Sequence, residues 1–562
     1  MTASFFHVAQ PHTNRETEFT LVGVFESVAE AVPDRAAVVQ GSRRLSYCEL
    51  AERARRLASY LHDHGLGARA ERSNLAGHES GQDHLALVLY NGPEYIEGML
   101  GAYGARVAPF NVNYRYIGEE LRYLIADAEP KGVIFHASLA PVLGPVLADM
   151  HSSAVLLQVE DGSGNDLLPG AADYEAALAD GDPTGPPVTP NPDDLYILYT
   201  GGTTGMPKGV LWRQHDIFMA AMGGQVVGTW EPMRDYDQIQ RGAIDNPGLA
   251  VLVLPPLMHG GAQWGAFHLF RDGNTVVMPE NTRRIDPADV WRTVERERAV
   301  TISVIGDAVV RPLLDELGQT SYDTASLAVI ANGGAPLTPA MRHKLLERFP
   351  KLIITDTVGS SETGAQMNLA TNQADGATMF TPGPGAAVLN DDRSRVLEPG
   401  YDRTGWLGQS GWVPLGYLGD GEKTTRTFPV LNGVRFAVPG DRARYLPDGR
   451  IELLGRDSLS INSGGEKIFV EEVEAAIAGH PAVADVVVVG KPSERWGQEV
   501  CAVIELVPDV TASDDEIIAF SAQTIARFKL PKSVRFVDHV QRSPSGKADY
   551  RWAKEVATSQ PA

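Results

Sequence analysis

The chain has 562 residues, of which 43% are hydrophobic, as is typical of a folded globular protein. Its formal net charge of −22, from 49 basic and 71 acidic residues, argues against nucleic-acid binding, because such proteins neutralise phosphates with Lys and Arg. The chain has two cysteines, far apart in sequence, which argues against a disulfide framework. It has no apolar run of about 20 residues, which argues against a transmembrane segment, and no signal-peptide pattern, which argues against secretion. We therefore expect a cytoplasmic enzyme.

The N-terminal two thirds of the chain alternate helical patterns with short apolar runs. Residues 1–18 are polar and unpatterned, which predicts a disordered tail. Residues 45–65 have the periodicity of an amphipathic helix, and residues 160–192, rich in Gly, Pro and Asp, predict a solvent-exposed connection. The alternation predicts a layered α/β architecture with parallel sheets. The runs that predict strands are 85–90, 132–137, 154–159, 249–255 and 303–307.

The stretch YILYTGGTTGMPKGV, residues 196–210, predicts a phosphate-binding loop. Leu195–Tyr199 has the composition of a buried strand, and the glycines after it let the backbone approach a ligand closely. It is not a Walker A loop, because Gly209 rather than Ser or Thr follows Lys208. The alternative is a flexible surface loop. The predicted cradle for a polyphosphate consists of Thr200, Gly201, Gly202, Thr203, Thr204 and Lys208.

The pattern of predicted secondary structure changes near residue 380. Frequent turn signals over about 380–455 predict a β-rich subdomain, and the α/β alternation then returns. We place the domain boundary near Ser458, which gives a large domain at 19–457 and a C-terminal α+β domain at 458–562, long enough for its own core. In the C-terminal domain we predict helices at 470–480 and 513–528 and strands at 483–490 and 501–508.

Six stretches, in this order along the chain, resemble the adenylate-forming superfamily, which includes acyl-CoA synthetases, adenylation domains of peptide synthetases and luciferases. They are YTGGTTGMPKGV (199–210), GGAPL (333–337), VGSSETG (358–364), PGD (439–441), GRDSLSINSGGEKI (455–468) and RSPSGKADYRW (542–552). Within the family, the sequence most resembles actinobacterial CoA ligases of bulky steroid or terpenoid carboxylates. That narrower resemblance depends on 111–124, 306–313, 358–364, 460–467 and 542–555.

The resemblance implies a two-step reaction that uses ATP, Mg²⁺ and coenzyme A. A small-molecule carboxylic acid attacks the α-phosphorus of ATP, which gives an acyl-adenylate and pyrophosphate. The thiol of coenzyme A then displaces AMP to give a thioester. In the family, the C-terminal domain is mobile and rotates between the two steps about a hinge, which corresponds to Ser458 in this sequence.

By resemblance, Glu362 is the Mg²⁺ ligand; the alternative is a solvated loop glutamate. Val358 departs from the aromatic residue that many members stack on adenine, so it offers only an apolar face. Ser361 corresponds to a phosphate-contacting position, and Gly333 and Gly334 are assigned to the nucleotide site, where they also leave room for a large substrate. Asp441 is expected at the ribose hydroxyls, and Arg456 at the ribose or phosphate.

Lys547 is the principal catalytic candidate, because a flexible cation suits the charge shared by the substrate carboxylate and the α-phosphate. The alternative is a solvated lysine near the C-terminus. For thioester formation, the resemblance points to the loop that contains Asn462, Gly464 and Gly465, although Asn462 replaces a lysine found in some relatives.

The acyl pocket is predicted around PPLMHGGAQWG, residues 255–265. His259 either orients the carboxylate or packs within a loop. Glycines there suit a large substrate. Asp307 either lies near the pocket or pairs with Arg311. The predicted pocket residues are His259, Gly260, Gly261, Trp264 and Asp307.

Three alternatives to a bulky-acid CoA ligase remain open from the sequence. The first is an adenylating partner that passes the acyl group to a carrier protein or another ligase. The second is a long-chain fatty acid CoA ligase. The third is an inactive nucleotide-binding regulatory protein, against which the retention of Lys208, Glu362, Asp441 and Lys547 argues. A homodimer is one option for assembly.

Overall fold

The computed structural model describes residues 17–559 apart from 117, 149–153, 201–206, 227–228, 336, 374–378, 402, 464–465, 494–496, 526 and 543–545. Its helices often begin where a polar side chain caps the first turn, as Ser46 and Glu49 do reciprocally for α2. The helices are α1 (Leu21–Ala31), α2 (Tyr47–Asp63), α3 (Pro93–Gly104), α4 (Gly118–Ala128), α5 (Ala140–Leu147), α6 (Tyr174–Asp180), α7 (Gln214–Ala221), α8 (Tyr236–Asp245), α9 (Gly260–Arg271), α10 (Pro287–Glu297), α11 (Gly306–Gln319), α12 (Pro339–Arg348), α13 (Gly421–Thr427), α14 (Val470–Ala478), α15 (Asp514–Ser521) and α16 (Tyr550–Thr558).

The strands are short, as expected for segments bounded by glycines and turns. They are β1 (Ala36–Gln40), β2 (Arg43–Ser46), β3 (His84–Val88), β4 (Ala108–Asn111), β5 (Gly132–His136), β6 (Val155–Val159), β7 (Ala171–Asp173), β8 (Leu195–Thr200), β9 (Lys208–Arg213), β10 (Ala250–Val253), β11 (Thr275–Met278), β12 (Thr301–Val304), β13 (Val329–Gly333), β14 (Ile353–Ser360), β15 (Gly364–Thr371), β16 (Met379–Pro382), β17 (Ala386–Leu389), β18 (Gly405–Ser410), β19 (Gly416–Tyr417), β20 (Val430–Leu431), β21 (Val434–Ala437), β22 (Asp441–Tyr445), β23 (Ile451–Arg456), β24 (Ile461–Ser463), β25 (Glu466–Ile468), β26 (Val483–Ser493), β27 (Gly497–Leu506) and β28 (Ser533–Val537).

The described strands form three sheets. One runs β19-β9-β8-β4-β3-β5-β6-β7, with parallel pairs through its centre and a β8–β9 hairpin at one side. The largest joins the parallel series β1-β11-β10-β12-β13-β14 to antiparallel strands that include β15, β16, β22 and β23. The third contains β24 to β28 and belongs to the C-terminal domain. The α/β prediction is therefore confirmed.

Helices cover both larger sheets, and the main core lies among α1, α2, α3 and α9. The strands β3 and β5 are buried along their whole length, which explains their continuous apolar sequence. Within the described residues, no helix is both long and apolar enough to cross a membrane.

Four local predictions need correction. The run 303–307 is strand only as far as Val304, and Gly306 already begins α11. The segment 160–192 is more than an exposed connection, because it contains β7 and α6, with Tyr174 buried. The helix predicted at 513–528 ends at Ser521. Glu18 belongs to the predicted tail, but its carboxylate pairs with Arg213 at 2.6 Å; residues 1–16 lie outside the described part of the chain.

Candidate active site

Lys208 stands at the base of the β8–β9 hairpin. Its register partner across the hairpin is Thr200, so the loop between them begins and ends at the same edge of the sheet. Lys208 Nζ lies 3.4 Å from Asp127 Oδ1, and the Tyr199 hydroxyl donates to Asp127 Oδ2 at 2.8 Å. Burial alone would lower the pKa of Lys208, but a hydrogen bond with Tyr123 and the charge of Asp127 outweigh it, so the pKa is raised. Gly201, Gly202, Thr203 and Thr204 lie outside the described residues.

Glu362 lies in the tight turn between β14 and β15. Its residue is buried, its N–H donates to Ser360 Oγ at 3.2 Å, and its Oε1 accepts from the Tyr417 hydroxyl at 2.7 Å. The Lys423 ammonium lies over the Tyr417 ring, 4.0 Å from its centroid. Burial and the nearby Glu362 carboxylate both raise the pKa of Tyr417, so its hydroxyl stays protonated and donates. The neighbouring Ser361 carbonyl accepts from Trp212 Nε1 at 2.9 Å, which fixes the turn.

Glu362 has the chemistry of a Mg²⁺ ligand. Tyr417 occupies one carboxylate oxygen, so the group still has an oxygen to offer a hard cation. Mg²⁺ at nucleotide sites is held by one or two carboxylates together with substrate phosphates rather than by a protein cage. The described residues contain no cluster of three or more His, Cys, Asp or Glu side chains that could hold a metal. The residues present therefore fit a cation that arrives with a nucleotide.

Asp441 and Arg456 face each other across the antiparallel pair β22–β23. Arg456 Nε donates to Asp441 Oδ1 at 3.2 Å. Burial raises the pKa of Asp441, while the Arg456 charge acts in the opposite direction. The backbone N–H of Arg456 donates to Glu471 Oε1 at 3.2 Å, so this pair also touches the C-terminal domain.

Lys547 lies in the loop between β28 and α16, directly after Gly546. Gly546 has φ +70° and packs so closely on Ile305 that a Cβ would lie 3.1 Å from Ile305 Cγ2. Lys547 keeps an exposed surface, but the surrounding protein and the Arg456 charge lower its pKa, while Glu362 and Asp441 act to raise it. Lys547 is therefore under the electrostatic influence of Glu362, Asp441 and Arg456, and its catalytic role stays a prediction.

Val358 and the two glycines lie at neighbouring strand ends. Val358 is half-buried on β14 and packs against the cluster that contains Met367 and Phe380. Gly333 ends β13, where a Cβ would make ordinary contact with the Thr357 carbonyl at 3.7 Å. Gly334 has φ +81°, which other residues rarely adopt.

The two glycines at the start of α9, Gly260 and Gly261, differ in how much space surrounds them. A Cβ on Gly260 would lie 2.5 Å from Leu198 Cδ2 and 3.0 Å from Trp264 Cζ2. Neighbouring side chains therefore fill the space at Gly260, and the prediction that this glycine makes room for a bulky substrate is wrong. Gly261 is exposed, and a Cβ there would meet nothing within 4 Å. Trp264 is a core residue, whose Nε1 donates to the Tyr196 hydroxyl at 3.1 Å.

His259 is the N-cap residue of α9, but its side chain makes no capping hydrogen bond. Its Nε2 is buried and has no hydrogen-bond partner among the described residues. Burial, with the positive charges of Lys547 and Arg115, lowers the pKa of His259 to about 4. The ring is therefore neutral at physiological pH, and its unpartnered nitrogen gives it a polar atom free to act on a ligand.

Asp307 serves a structural purpose. Its two carboxylate oxygens accept from the backbone N–H of Thr338 at 2.8 Å and from Thr338 Oγ1 at 2.7 Å. It approaches Arg311 only at 4.0 Å, and Arg311 instead donates to the Ala484 carbonyl at 2.6 Å. Pairing between Asp307 and Arg311 is therefore weak.

The predicted hinge and thioester loop lie at the start of the C-terminal domain. Ser458 is in a short 3₁₀ turn, Asp457–Leu459, and Asn462 is in β24. Gly464 and Gly465 lie outside the described residues.

Four residues near the predicted site were missed by sequence reasoning. Asp127 pairs with Lys208, Tyr417 and Lys423 flank Glu362, and Arg542 contacts the loop of Lys547. Asp127 and Tyr417 are 81 and 55 residues from the groups they bind, so no local spacing could reveal them. Arg542 had a signal, since it begins the predicted motif at 542–552.

Residues 25–407 of the chain match the family described as AMP-binding enzyme, and residues 472–547 match its C-terminal domain. The medium-chain acyl-CoA ligase Mig of Mycobacterium avium is 54% identical over 97% of this chain and 99% of its own. A medium/long-chain-fatty-acid–CoA/3-oxocholest-4-en-26-oate–CoA ligase of Mycobacterium tuberculosis is 40% identical over 96% of both chains. The crystal structure of ATP-bound MatB from Rhodopseudomonas palustris superposes with a TM-score of 0.77 at 22% identity, covering 96% of this chain and 99% of MatB.

Proposed function

The chain belongs to the AMP-binding enzyme family and is an AMP-forming acyl-CoA ligase that uses ATP, Mg²⁺ and coenzyme A, and on this premise we propose that its substrate is a medium-chain carboxylic acid. The observation that carries the proposal is the 54% identity, over 97% of this chain, with the medium-chain acyl-CoA ligase of Mycobacterium avium. Gly260 gives no support for a bulkier acid, because Leu198 and Trp264 occupy the volume that its missing side chain would leave.

In the first step, a carboxylate oxygen bonds to the α-phosphorus of ATP and the bond to the bridging oxygen breaks, which releases pyrophosphate. Lys547 is proposed to offset the negative charge shared by the carboxylate and the α-phosphate. Lys208 would bind the phosphates, and Glu362 would hold Mg²⁺ together with them. Asp441 would accept hydrogen bonds from the ribose, with Arg456 bound to its carboxylate.

In the second step, the sulfur of coenzyme A bonds to the acyl carbon and AMP leaves with the electron pair of the broken bond. We propose that the C-terminal domain rotates about Ser458 between the steps and that the loop around Asn462 then faces the acyl-adenylate. Transfer to a carrier protein and assembly as a homodimer stay predictions.

A bulky ring-bearing acid is the second candidate. Gly261 supports it, because open space surrounds this residue at the start of α9. The printed name of the Mycobacterium tuberculosis relative combines medium- and long-chain fatty acids with a steroid acid, so both classes occur among relatives.

The test measures pyrophosphate release and CoA-thioester formation in parallel with hexanoic, octanoic, decanoic, palmitic and 3-oxocholest-4-en-26-oic acids. We expect octanoic acid to exceed hexanoic acid in kcat/KM by about tenfold, since each of its two additional buried methylenes contributes about 0.8 kcal/mol. A higher kcat/KM with the steroid acid would replace the medium-chain proposal by the second candidate. Pyrophosphate release without thioester would point to a carrier-protein acceptor.

Gly261→Leu provides a matched test of the pocket, with Gly261→Ala as its control. A leucine there should reduce kcat/KM for the steroid acid more than for octanoic acid. Equal losses for both acids would mean that Gly261 does not line the acyl pocket.

A further inference from the structure

Arg311 joins the two domains at a place remote in sequence from the hinge. It lies in α11 of the large domain, and its Nη2 donates to the Ala484 carbonyl of the C-terminal domain at 2.6 Å, across 173 residues of sequence. Asp307, held by its two bonds to Thr338, lies one helical turn earlier at 4.0 Å from the same nitrogen. The guanidinium is thus directed towards the C-terminal domain from a fixed base.

The acceptor is provided by an irregularity in β26. The register of β26 with β27 shifts between Val483 and Asp485, so Ala484 has no register partner there. A bulge residue of this kind is left out of the ladder of backbone hydrogen bonds, and its carbonyl can accept from another group. Arg311 makes that bond with a charged donor, which is stronger than a bond between neutral groups.

The residue after the bulge connects this contact to Lys547. Both carboxylate oxygens of Asp485 accept from Arg542 at 2.6 Å, and Arg542 Nη1 donates to the Gly546 carbonyl at 3.1 Å. Gly546 directly precedes Lys547 and packs on Ile305, the residue before α11. The C-terminal domain therefore meets the α11 region at two points, Ala484 and Gly546, and Arg542 links these points within the domain.

From these contacts we infer that Arg311 is a positioning residue that holds the C-terminal domain in the orientation used for adenylation, with Lys547 turned towards Glu362 and Asp441. The inference rests on the proposed two-step function. Rotation for the thioester step would carry Ala484 away from Arg311 and break the bond. Arg311 therefore favours the first step without touching substrate.

The experiment measures the two half-reactions separately in wild type, Arg311→Ala, Arg311→Lys and the control Arg284→Ala, which changes an exposed arginine of the same domain. Adenylation is followed by pyrophosphate release with octanoic acid, and thioester formation by octanoyl-CoA production from supplied octanoyl-adenylate. We expect Arg311→Ala to lower adenylation about tenfold, equivalent to about 1.4 kcal/mol and close to the lower end of what one charge-assisted hydrogen bond contributes. Its thioester step should stay within about twofold of wild type, the scatter expected where no contact is lost. Arg311→Lys, which keeps a donor, should recover part of the loss.

A merely structural role would lower both half-reactions together with the thermal midpoint, and that result would overturn the inference, as would unchanged adenylation in Arg311→Ala. Hydrogen exchange of the peptide spanning 482–489, measured without ligands, tests the contact independently of activity. It should accelerate in Arg311→Ala and not in Arg284→Ala, and equal exchange would also overturn the inference. If wild type activates none of the acids, the proposed substrate class fails, while the exchange result still decides whether Arg311 holds the domains together.

Discussion

The pKa values of the two lysines of the candidate site are shifted in opposite directions. Lys208 begins a strand of the large domain and lies 3.4 Å from an acidic partner, Asp127. Lys547 lies in a loop of the C-terminal domain, where Arg456 is among the charges that act on it. The pKa of Lys208 is raised by Tyr123 and Asp127 against the effect of burial, whereas burial and Arg456 lower the pKa of Lys547.

This difference predicts separate roles for the two lysines. Lys208 already has a counterion, so a phosphate must compete with Asp127 for it. At Lys547 the Arg456 charge disfavours the ammonium and the Glu362 and Asp441 carboxylates favour it, and the negative charge of the substrate carboxylate and the α-phosphate would stabilise it further. We therefore expect Lys547 to act mainly on the rate of adenylation and Lys208 mainly on ATP binding.

The largest effect is expected for Lys547→Ala. Adenylation, measured as pyrophosphate release, should fall by about 10³-fold, because a preorganised charge at the reacting group is removed. The thioester step, measured from supplied acyl-adenylate, should stay near the wild-type rate. Adenylation that survives this change would remove Lys547 from the catalytic assignment.

The second-largest effect is expected for Glu362→Gln, which removes the proposed carboxylate ligand of Mg²⁺ while the amide oxygen can still accept from Tyr417. We expect kcat for adenylation to fall by about 10²-fold and the Mg²⁺ concentration required to rise. Tyr417→Phe is the control, because it removes the hydroxyl and leaves the carboxylate. Normal Mg²⁺ and ATP kinetics in Glu362→Gln would exclude Glu362 from the metal site.

Asp127→Asn should have a smaller effect of opposite sign. Without the competing carboxylate, the KM for ATP should fall by about two- to fivefold, equivalent to at most about 1 kcal/mol for a partly exposed ion pair. Initial-rate kinetics over a range of ATP concentrations would measure it. A rise in KM would instead mean that Asp127 positions Lys208 for the phosphate.

The smallest effect is a difference in chemical reactivity without ligands. Only a neutral amine is nucleophilic, so the lysine with the lowered pKa should be acylated faster. Competitive labelling with trace acetic anhydride near pH 8.5, read by mass spectrometry, should therefore modify Lys547 faster than Lys208. Equal acetylation rates for the two lysines would contradict the predicted difference between their pKa values.

The motifs of the sequence supplied most of the residues of the candidate site, and the roles of these residues stay predictions. Val358, Glu362, Asp441, Arg456 and Lys547 all belong to quoted motifs, and the strand predicted at Leu195–Tyr199 is observed as Leu195–Thr200. Composition misled at 160–192, where polar and turn-forming residues surround a short helix with a buried face. Counting glycines misled at Gly260, because a missing side chain creates space only if its neighbours leave that space empty.

The sequence by itself determined the α/β class, the order of the motifs and the kinds of group available for chemistry, because these depend on residue type and short-range periodicity. Only the tertiary structure decided that Asp127 pairs with Lys208, that Tyr417 binds Glu362, that Gly260 is filled while Gly261 is open, and that Arg311 reaches Ala484. Each of these depends on residues distant in sequence, whose distances are set when sheets and domains pack and not by any local pattern.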